Sequence, residues 1–300
     1  PLWSRGLGDV YKRQDMMRSV MDKRWLYIRN FRPDLPYVQP LNYQFKARGY
    51  QSWAKLAAAG KLTPQTAQFW GVKPSEELYD MDNDPDCVQN LADKPDQSER
   101  MLQMRKALRD NSIRIVDNGF LPEGSPNEGY LPSRAQDAFP IAHAFDLACM
   151  ASDQKPENLT QLIKALDDPS EAIRWWAAQG ITILASANQN AAKTAEDSLK
   201  KHLNDPSPAV QVVVAKALFH LGATDDALQC LGNFVKATEM RPARLQALNV
   251  IDRFGAKAQP LLPVLQSAAE AHPSAVKSND VRYQVDMTNR IIGVLSGKIE

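Results

Sequence analysis

The sequence predicts a mixed fold: a small α+β segment over residues 15–117, an antiparallel sheet with helices laid on it, followed by an all-α solenoid over 135–300. Three observations predict it. Around Trp25–Phe31 apolar residues fall on both faces of an extended segment, as in a strand whose two faces are at least partly covered. "LDDPSEAIRWWAAQGITILA" (166–185) and "LNDPSPAVQVVVAKALFHLG" (203–222) align without a gap at a shift of 37 residues. Between these regions lies "NGFLPEGSPNEGYLPSR" (118–134), rich in Gly, Pro and Asn, which reads as a linker.

Composition sets the outer limits. Three hundred residues give a prior of about two domains, and 44% hydrophobic with 24% charged residues is ordinary for a globular chain. Lys and Arg number 36 against 35 Asp and Glu, a net charge of +1, which argues against nucleic-acid binding by bulk charge. Cys87, Cys149 and Cys230 lie far apart, so neither a zinc site nor a disulfide framework is signalled and each is expected as a buried small apolar residue. His143, His202, His220 and His272 are scattered, without metal-ligand spacing. No apolar run reaches the roughly 18 residues that would predict a membrane span.

Taken in order, residues 1–14, "PLWSRGLGDVYKRQ", have neither the apolar core of a signal peptide nor a pattern that continues into the next segment. They resemble a translated sequencing adaptor, so the chain is expected to be a fragment. In "MMRSVMDKRWLYIRNF", Trp25, Tyr27, Arg29 and Phe31 share one strand face, Leu26 and Ile28 share the other, and "MDK" suits a hairpin turn. A proline-rich crossing, "FRPDLPYVQPL", precedes a helix with Trp53, Leu56 and Ala57 at helical spacing. Gly60 reads as its C-cap, and Thr63 with Pro64 starts a second short helix. "EELYD" (76–80) reads as a strand with Leu78 and Tyr79 on opposite faces, and Met101, Met104, Ala107 and Leu108 mark the helix after it.

The aspartates at 80, 82 and 84 resemble the start of a calcium-binding loop. That loop needs Gly at its sixth position and Glu at its twelfth, and here Pro85 and Leu91 stand there. The alternative is structural: Asp84 caps a helical turn with Pro85 at its first position, and Leu91 pins the exit to a core.

The repeat extends the reading of the third segment. Ile173, Trp176, Ala177, Gly180, Ile181 and Leu184 form one stripe, which the shift maps onto Val210, Val213, Val214, Ala217, Leu218 and Leu221. Leu159, Leu162, Ile163 and Leu166 precede the first stripe, and Ala195, Leu199 and Leu203 the second. At the "DDPS" joint Asp168 is expected to cap the following helix, with Glu171 completing a capping box. A third copy, 239–255, fits at a shift of 33 with Ala243, Ala247, Val250, Ile251 and Phe254 in the stripe. Helix pairs at this period signal a HEAT-like array, whose units bury their stripes only by stacking. Arg174, Gln211 and Arg244 hold equivalent positions and are expected to tie one repeat to the next.

No nucleophile elbow, P-loop, dinucleotide fingerprint or ligand-spaced cluster is present, so no catalytic or metal-binding residue is assigned. Arg18, Arg24 and Arg32 with Tyr37 are candidate substrate-binding residues, because guanidinium forks suit sulfate or carboxylate. Arg29 and Tyr27 join them on the sheet. A solvated sheet face is the competing explanation for the same residues.

Two ordered motifs carry a family resemblance. Asp22, Arg24, Trp25, Tyr27, Ile28, Asn30 and Phe31 follow a "D-x-R-Y-x-Y-I-x-N-F" pattern. Glu77, Leu78, Tyr79, Asp80, Asp84, Pro85, Asn90, Leu91 and Ala92 follow "E-L-Y-D-L-x-x-D-P-x-E-x-x-N-L-A". Over 16 to about 122 the chain resembles the C-terminal subdomain of bacterial sulfatases similar to N-sulfoglucosamine sulfohydrolase. It departs at Trp25, Met81 and Cys87; the last, at N3 of the expected cap, cannot supply a capping carboxylate. The resemblance implies sulfate-ester or sulfamate hydrolysis of sulfated carbohydrate, by a formylglycine nucleophile and calcium in an N-terminal domain. None of the three cysteines is followed by x-P-S-R. The resemblance therefore implies a chain that is inactive alone and carries no cofactor, whose partner is the missing catalytic domain and whose parent is exported to the periplasm or beyond. The rival reading is a HEAT-repeat module that binds a protein or self-associates, with the α+β segment as an accessory.

Overall fold

The structure is a computed structural model and describes residues 15–38, 47–237, 242–271 and 279–298. The stretches 1–14 and 39–46, and His272, fall outside them. A three-stranded antiparallel sheet in the order β1-β2-β3 is followed by a helical array, as the sequence predicts. The strands are β1 (Met17–Met21), β2 (Trp25–Asn30) and β3 (Glu76–Asp80). The helices are α1 (Arg48–Ala58), α2 (Pro64–Ala67), α3 (Ser98–Arg114), α4 (Ile141–Ser152), α5 (Leu159–Ala165), α6 (Glu171–Ala187), α7 (Gln189–Ala192) and α8 (Glu196–Lys201). They continue with α9 (Pro208–His220), α10 (Thr224–Lys236), α11 (Pro242–Phe254), α12 (Leu262–Ala271) and α13 (Asn279–Leu295).

Register places Trp25 opposite Asp80, Tyr27 opposite Leu78 and Arg29 opposite Glu76, so one sheet face gathers these residues with Arg18 and Val20. That face packs on Met101, Met104 and Leu108 of α3. Ala107, expected with them, points to solvent. The hairpin turn is set by Asp22, whose Oδ1 accepts from the backbone N–H of Arg24 at 2.8 Å and of Trp25 at 2.6 Å. Gly60 closes α1 with φ +63°, its N–H donating to Ala57, and Thr63 with Thr66 forms a capping box at α2.

Two expected caps take other forms. Asp84 accepts from the N–H groups of Val88 and Gln89, four and five residues on, while Cys87 adopts φ 54°. A left-handed residue cannot continue a helix, so the segment is a loop pinned by Asp84. Leu91 does anchor its exit, donating to Leu78 and packing on the core. At the repeat joint, Ser170 is the N-cap of α6 and Asp168 accepts from its N–H at 2.8 Å. Glu171 goes to the Ser125 hydroxyl rather than back to the cap. The second joint repeats the device, Asp205 accepting from Ser207 at 2.8 Å ahead of α9. Both corners are thus aspartate-fixed turns instead of capping boxes.

All three predicted stripes are buried. Arg174 ties the repeats as expected: it grips the Asp205 carboxylate at 2.7 and 3.0 Å and donates to the carbonyls of Asp168 and Pro169. Gln211 donates to the Asp205 carbonyl at 2.7 Å.

The largest departure concerns 118–134. This stretch is no free linker: Phe120 is fully buried and Leu121, Ser125 and Ser133 are buried too. The rings of Phe31, Phe120, Phe145 and Trp176 meet edge-on or tilted, at 5.0 to 5.9 Å. Trp176 Nε1 donates to the Phe120 carbonyl at 3.0 Å. Further along, Gln246 Nε2 of α11 donates to the Glu123 carbonyl, so the strap crosses from α6 to α11. Sheet and solenoid consequently share one continuous core.

Gly180 marks the tightest helix contact. A Cβ there would lie 2.8 Å from both Ala151 Cβ and Leu162 Cδ2, whereas one on Gly49 would meet nothing within 4 Å. Gly180→Ala is therefore expected to destabilise by about 1–3 kcal/mol despite the better helix propensity of alanine, and Gly49→Ala to stay within about 0.5 kcal/mol of the parent, read from denaturant midpoints.

Candidate functional site

The four sequence candidates do not converge on one pocket. Arg18, buried, makes a two-pronged pair with Asp117 at 2.6 and 3.1 Å. Arg24 lies at the far end of the sheet, paired with Asp80 and half exposed. Arg32 and Tyr37 do share one loop, and both are engaged: Arg32 Nε and Nη2 hold Asp34 at 2.9 and 3.0 Å, and the Tyr37 hydroxyl donates to Glu77 at 2.6 Å. The solvated-face explanation fits Arg24 but not Arg18 and Arg29, which are buried.

What the loop builds is a polar junction with the solenoid. Lys216 of α9 reaches across 182 positions to Asp34 Oδ2 at 2.7 Å, the Asp34 side chain having no solvent exposure. Burial favours protonation of Asp34, but Arg32 and Lys216 outweigh it and hold the carboxyl well below the usual range. The same burial pulls the Lys216 ammonium down to about 8 against the attraction of Asp34, and Arg253 of α11 down to about 10. His220, one turn along α9, is pushed down to about 4 by burial, with Lys216 adding to the effect.

Beside this junction, Glu77 accepts from Asn30 Nδ2 at 2.5 Å, from Tyr37 at 2.6 Å and from Tyr79 at 2.5 Å. Burial, aided by Glu77, raises both phenols, so they remain donors. Lys73, buried, pairs with Asp15. On the other sheet face Glu76 takes Arg105 at 2.7 and 2.6 Å and the Tyr27 hydroxyl at 2.6 Å; these outweigh burial and bring it down to about 2.

Chemically this is a cohesive network: carboxylates held ionised by fixed donors, with no nucleophile lying against a base. Cys230 is buried and Cys149 half-buried, their thiols pushed up to about 11 by burial, while Cys87 is half-exposed with its thiol also raised by burial. None offers a thiolate near neutral pH. Two of the three thus miss the expected full burial. Nor do the acidic side chains fit calcium. Asp80 is spent on Arg24 and Asn83, Asp82 lies 3.8 Å from Arg24, and Asp84 holds backbone N–H groups. Among the described residues no group of three or more His, Cys, Asp or Glu could hold a metal ion, and no helix is long and apolar enough to cross a membrane.

Sequence reasoning missed Asp34, Lys216 and Glu77. One signal was available: Lys216 sits in a helix apolar on every side, at the position where the preceding repeat has the buried Gln179, and a charge so placed implies a buried partner.

Residues 159–252 match the family of HEAT repeats. An ulvan-active sulfatase from Formosa agariphila is 40% identical over 110 residues, which is 36% of this chain and 18% of that protein. The chain thus spans under a fifth of the length of the curated relative it matches. No solved structure matches it. A sulfatase-related stretch and HEAT repeats are therefore combined in one chain.

Asp34→Asn would leave two buried cations against an amide, and a stability loss of about 3–5 kcal/mol is expected in chemical denaturation. His220 supplies a pH test. The unfolded chain protonates it as pH falls through 6.5, while the folded chain refuses the proton down to about 4. Stability should fall across that window by up to about 3 kcal/mol, and His220→Gln should remove that part of the slope in denaturation series at pH 4 to 7.

Proposed function

We propose that this chain is the C-terminal part of a sulfatase that hydrolyses sulfate esters or sulfamates of sulfated carbohydrate, with the formylglycine nucleophile and calcium supplied by a region outside this sequence. The supporting observation is the outer face of the sheet. Met17 and Met21 are 43% and 54% exposed, and Leu26 and Ile28 beside them are only half-buried. The β1 side of this face is open and apolar while its β3 side is closed over Asn30, Glu77 and Tyr79, and an open apolar strip of this kind is suited to cover by another layer. The 40% identity of 110 residues to a sulfatase supports reading that layer as a sulfatase catalytic region.

In this reading the residues of the two motifs build structure rather than chemistry. Arg24 and Asp80 close the distal end of the sheet, Tyr27 and Glu76 lock its inner face to α3, and Phe31 carries it onto the solenoid. Substrate contacts then belong mainly to the covering region.

The purified chain with calcium is expected to give no turnover of 4-nitrophenyl sulfate or of a sulfated oligosaccharide, because none of its three cysteines stands in a C-x-P-S-R motif that could supply formylglycine. Genuine turnover would refute the assignment of the chemistry to another region. Coding sequence recovered from upstream of Asp15 should contain a C-x-P-S-R or S-x-P-S-R motif in frame. A start codon at these residues, with no such region ahead, would refute the sulfatase reading itself.

A further inference from the structure

The junction between sheet and solenoid carries more positive charge than its carboxylates balance. Lys73, Lys216 and Arg253 each lie in the fields of both Arg32 and Asp34, and Asp15 pairs with Lys73, so these six groups form one cluster. Four cations there face two carboxylates. Glu77 stands behind Tyr37 and already accepts from Asn30, Tyr37 and Tyr79; counting it still leaves one cation in surplus. The neighbouring His220 is uncharged above about pH 4, and the stretch 35–75, which joins the two sheet segments of the cluster, contains no Asp or Glu. Burial draws Lys73, Lys216 and Arg253 below their ordinary values, although the aspartates pull Lys73 and Lys216 the other way.

Donors are in surplus as well. Arg32 commits Nε and Nη2 to Asp34 and gives its Nη1 to no acceptor among the described residues. Lys216 donates to Asp34 alone among them, with one of its three N–H bonds. Lys73 Nζ has no solvent exposure, and among the described residues it meets only the Asp15 carboxylate and the Tyr37 ring at 5.7 Å. Water accepts from such donors but brings no charge, and buried charge of one sign is costly without a counter-charge close by. Arg32, Tyr37, His220 and Arg253 are half-buried, which puts the cluster within reach of solvent. Guanidinium and ammonium donors arriving from the sheet side, α9 and α11 suit an anion with acceptors on every side and a charge of two.

We infer that this junction binds a tetrahedral oxyanion, sulfate or phosphate, through Arg32, Lys73, Lys216 and Arg253. Bound there, the ion ties the loop after β2 and the approach to β3 to two successive repeats. The inference does not depend on the proposed sulfatase activity, whose chemistry lies in another region.

Titration calorimetry and thermal unfolding of the full chain test this, with sodium chloride exchanged for sodium sulfate or sodium phosphate at constant ionic strength. Binding should saturate at one ion per chain, half-maximally at about 1 mM or below, and the unfolding midpoint should rise along the same curve. General salt stabilisation does not saturate, so the two effects separate. Arg253→Gln should weaken the affinity roughly tenfold or more, and Arg253→Lys, which keeps the charge without the fork, by less. Lys257→Gln, at an exposed position nearby, should leave it within about twofold. The inference is overturned by no saturable response to either ion, by an equal response to chloride, or by an affinity that neither Arg253 variant changes. The wild-type titration decides by itself if a variant fails to fold.

Discussion

Four rings hold this molecule together. Phe31 leaves the sheet, Phe120 comes from the glycine- and proline-rich strap, Phe145 from α4 and Trp176 from the first repeat, and the four rings meet fully or almost fully buried. Each ring arrives from a different stretch of chain, so the cluster forms only when all four elements are in place. Aromatic pairs add roughly 0.5–1.5 kcal/mol each beyond their buried area. The indole N–H bond to the Phe120 carbonyl then fixes the angle at which the strap crosses.

Buried charge supplies the specificity that apolar packing lacks. Arg29 projects from the sheet to the end of α4, where it donates to the Cys149 carbonyl, to Ser152 Oγ at 2.5 Å and to Asp153 at 2.6 Å. A guanidinium at a helix C-terminus meets the unsatisfied carbonyls and the negative end of the dipole. Two further buried ion pairs cross between elements, Asp34 with Lys216 of the second repeat and Arg18 with Asp117 at the start of the strap. Such pairs roughly break even against desolvation, yet each heavily penalises any arrangement that separates the partners. The hydrophobic cluster thus drives association, and the ion pairs select one geometry.

Periodic features were legible in the sequence and aperiodic ones were not. The strand faces around Trp25–Asn30 and all three helical stripes followed from alternation or from 3.6-residue spacing, because burial on one side imposes a period. Arg174 was read correctly because the repeat placed it between two units. Phe120 was missed because it is one aromatic among glycines and prolines, and composition there says loop whether or not the loop is buried. The Asp34–Lys216 pair spans 182 positions, and no local signal names such a partner. At the first repeat joint the sequence "DPSE" suits both a capping box and an aspartate turn, and the choice fell to Ser125, which draws Glu171 away from the cap.

The sulfatase-related motifs face two ways: Tyr27 and Phe31 inward to α3 and the repeats, Ile28 outward to a half-open face. The sheet therefore depends on the solenoid for its own order, whatever covers its other side. Native-state hydrogen exchange on the whole chain, with Phe120→Ala beside the parent, addresses this directly. Amides of β2 and of α6 should lose protection together and by the same free energy, since one cluster supports both. Loss confined to one of them, with the other unchanged, would contradict the shared core.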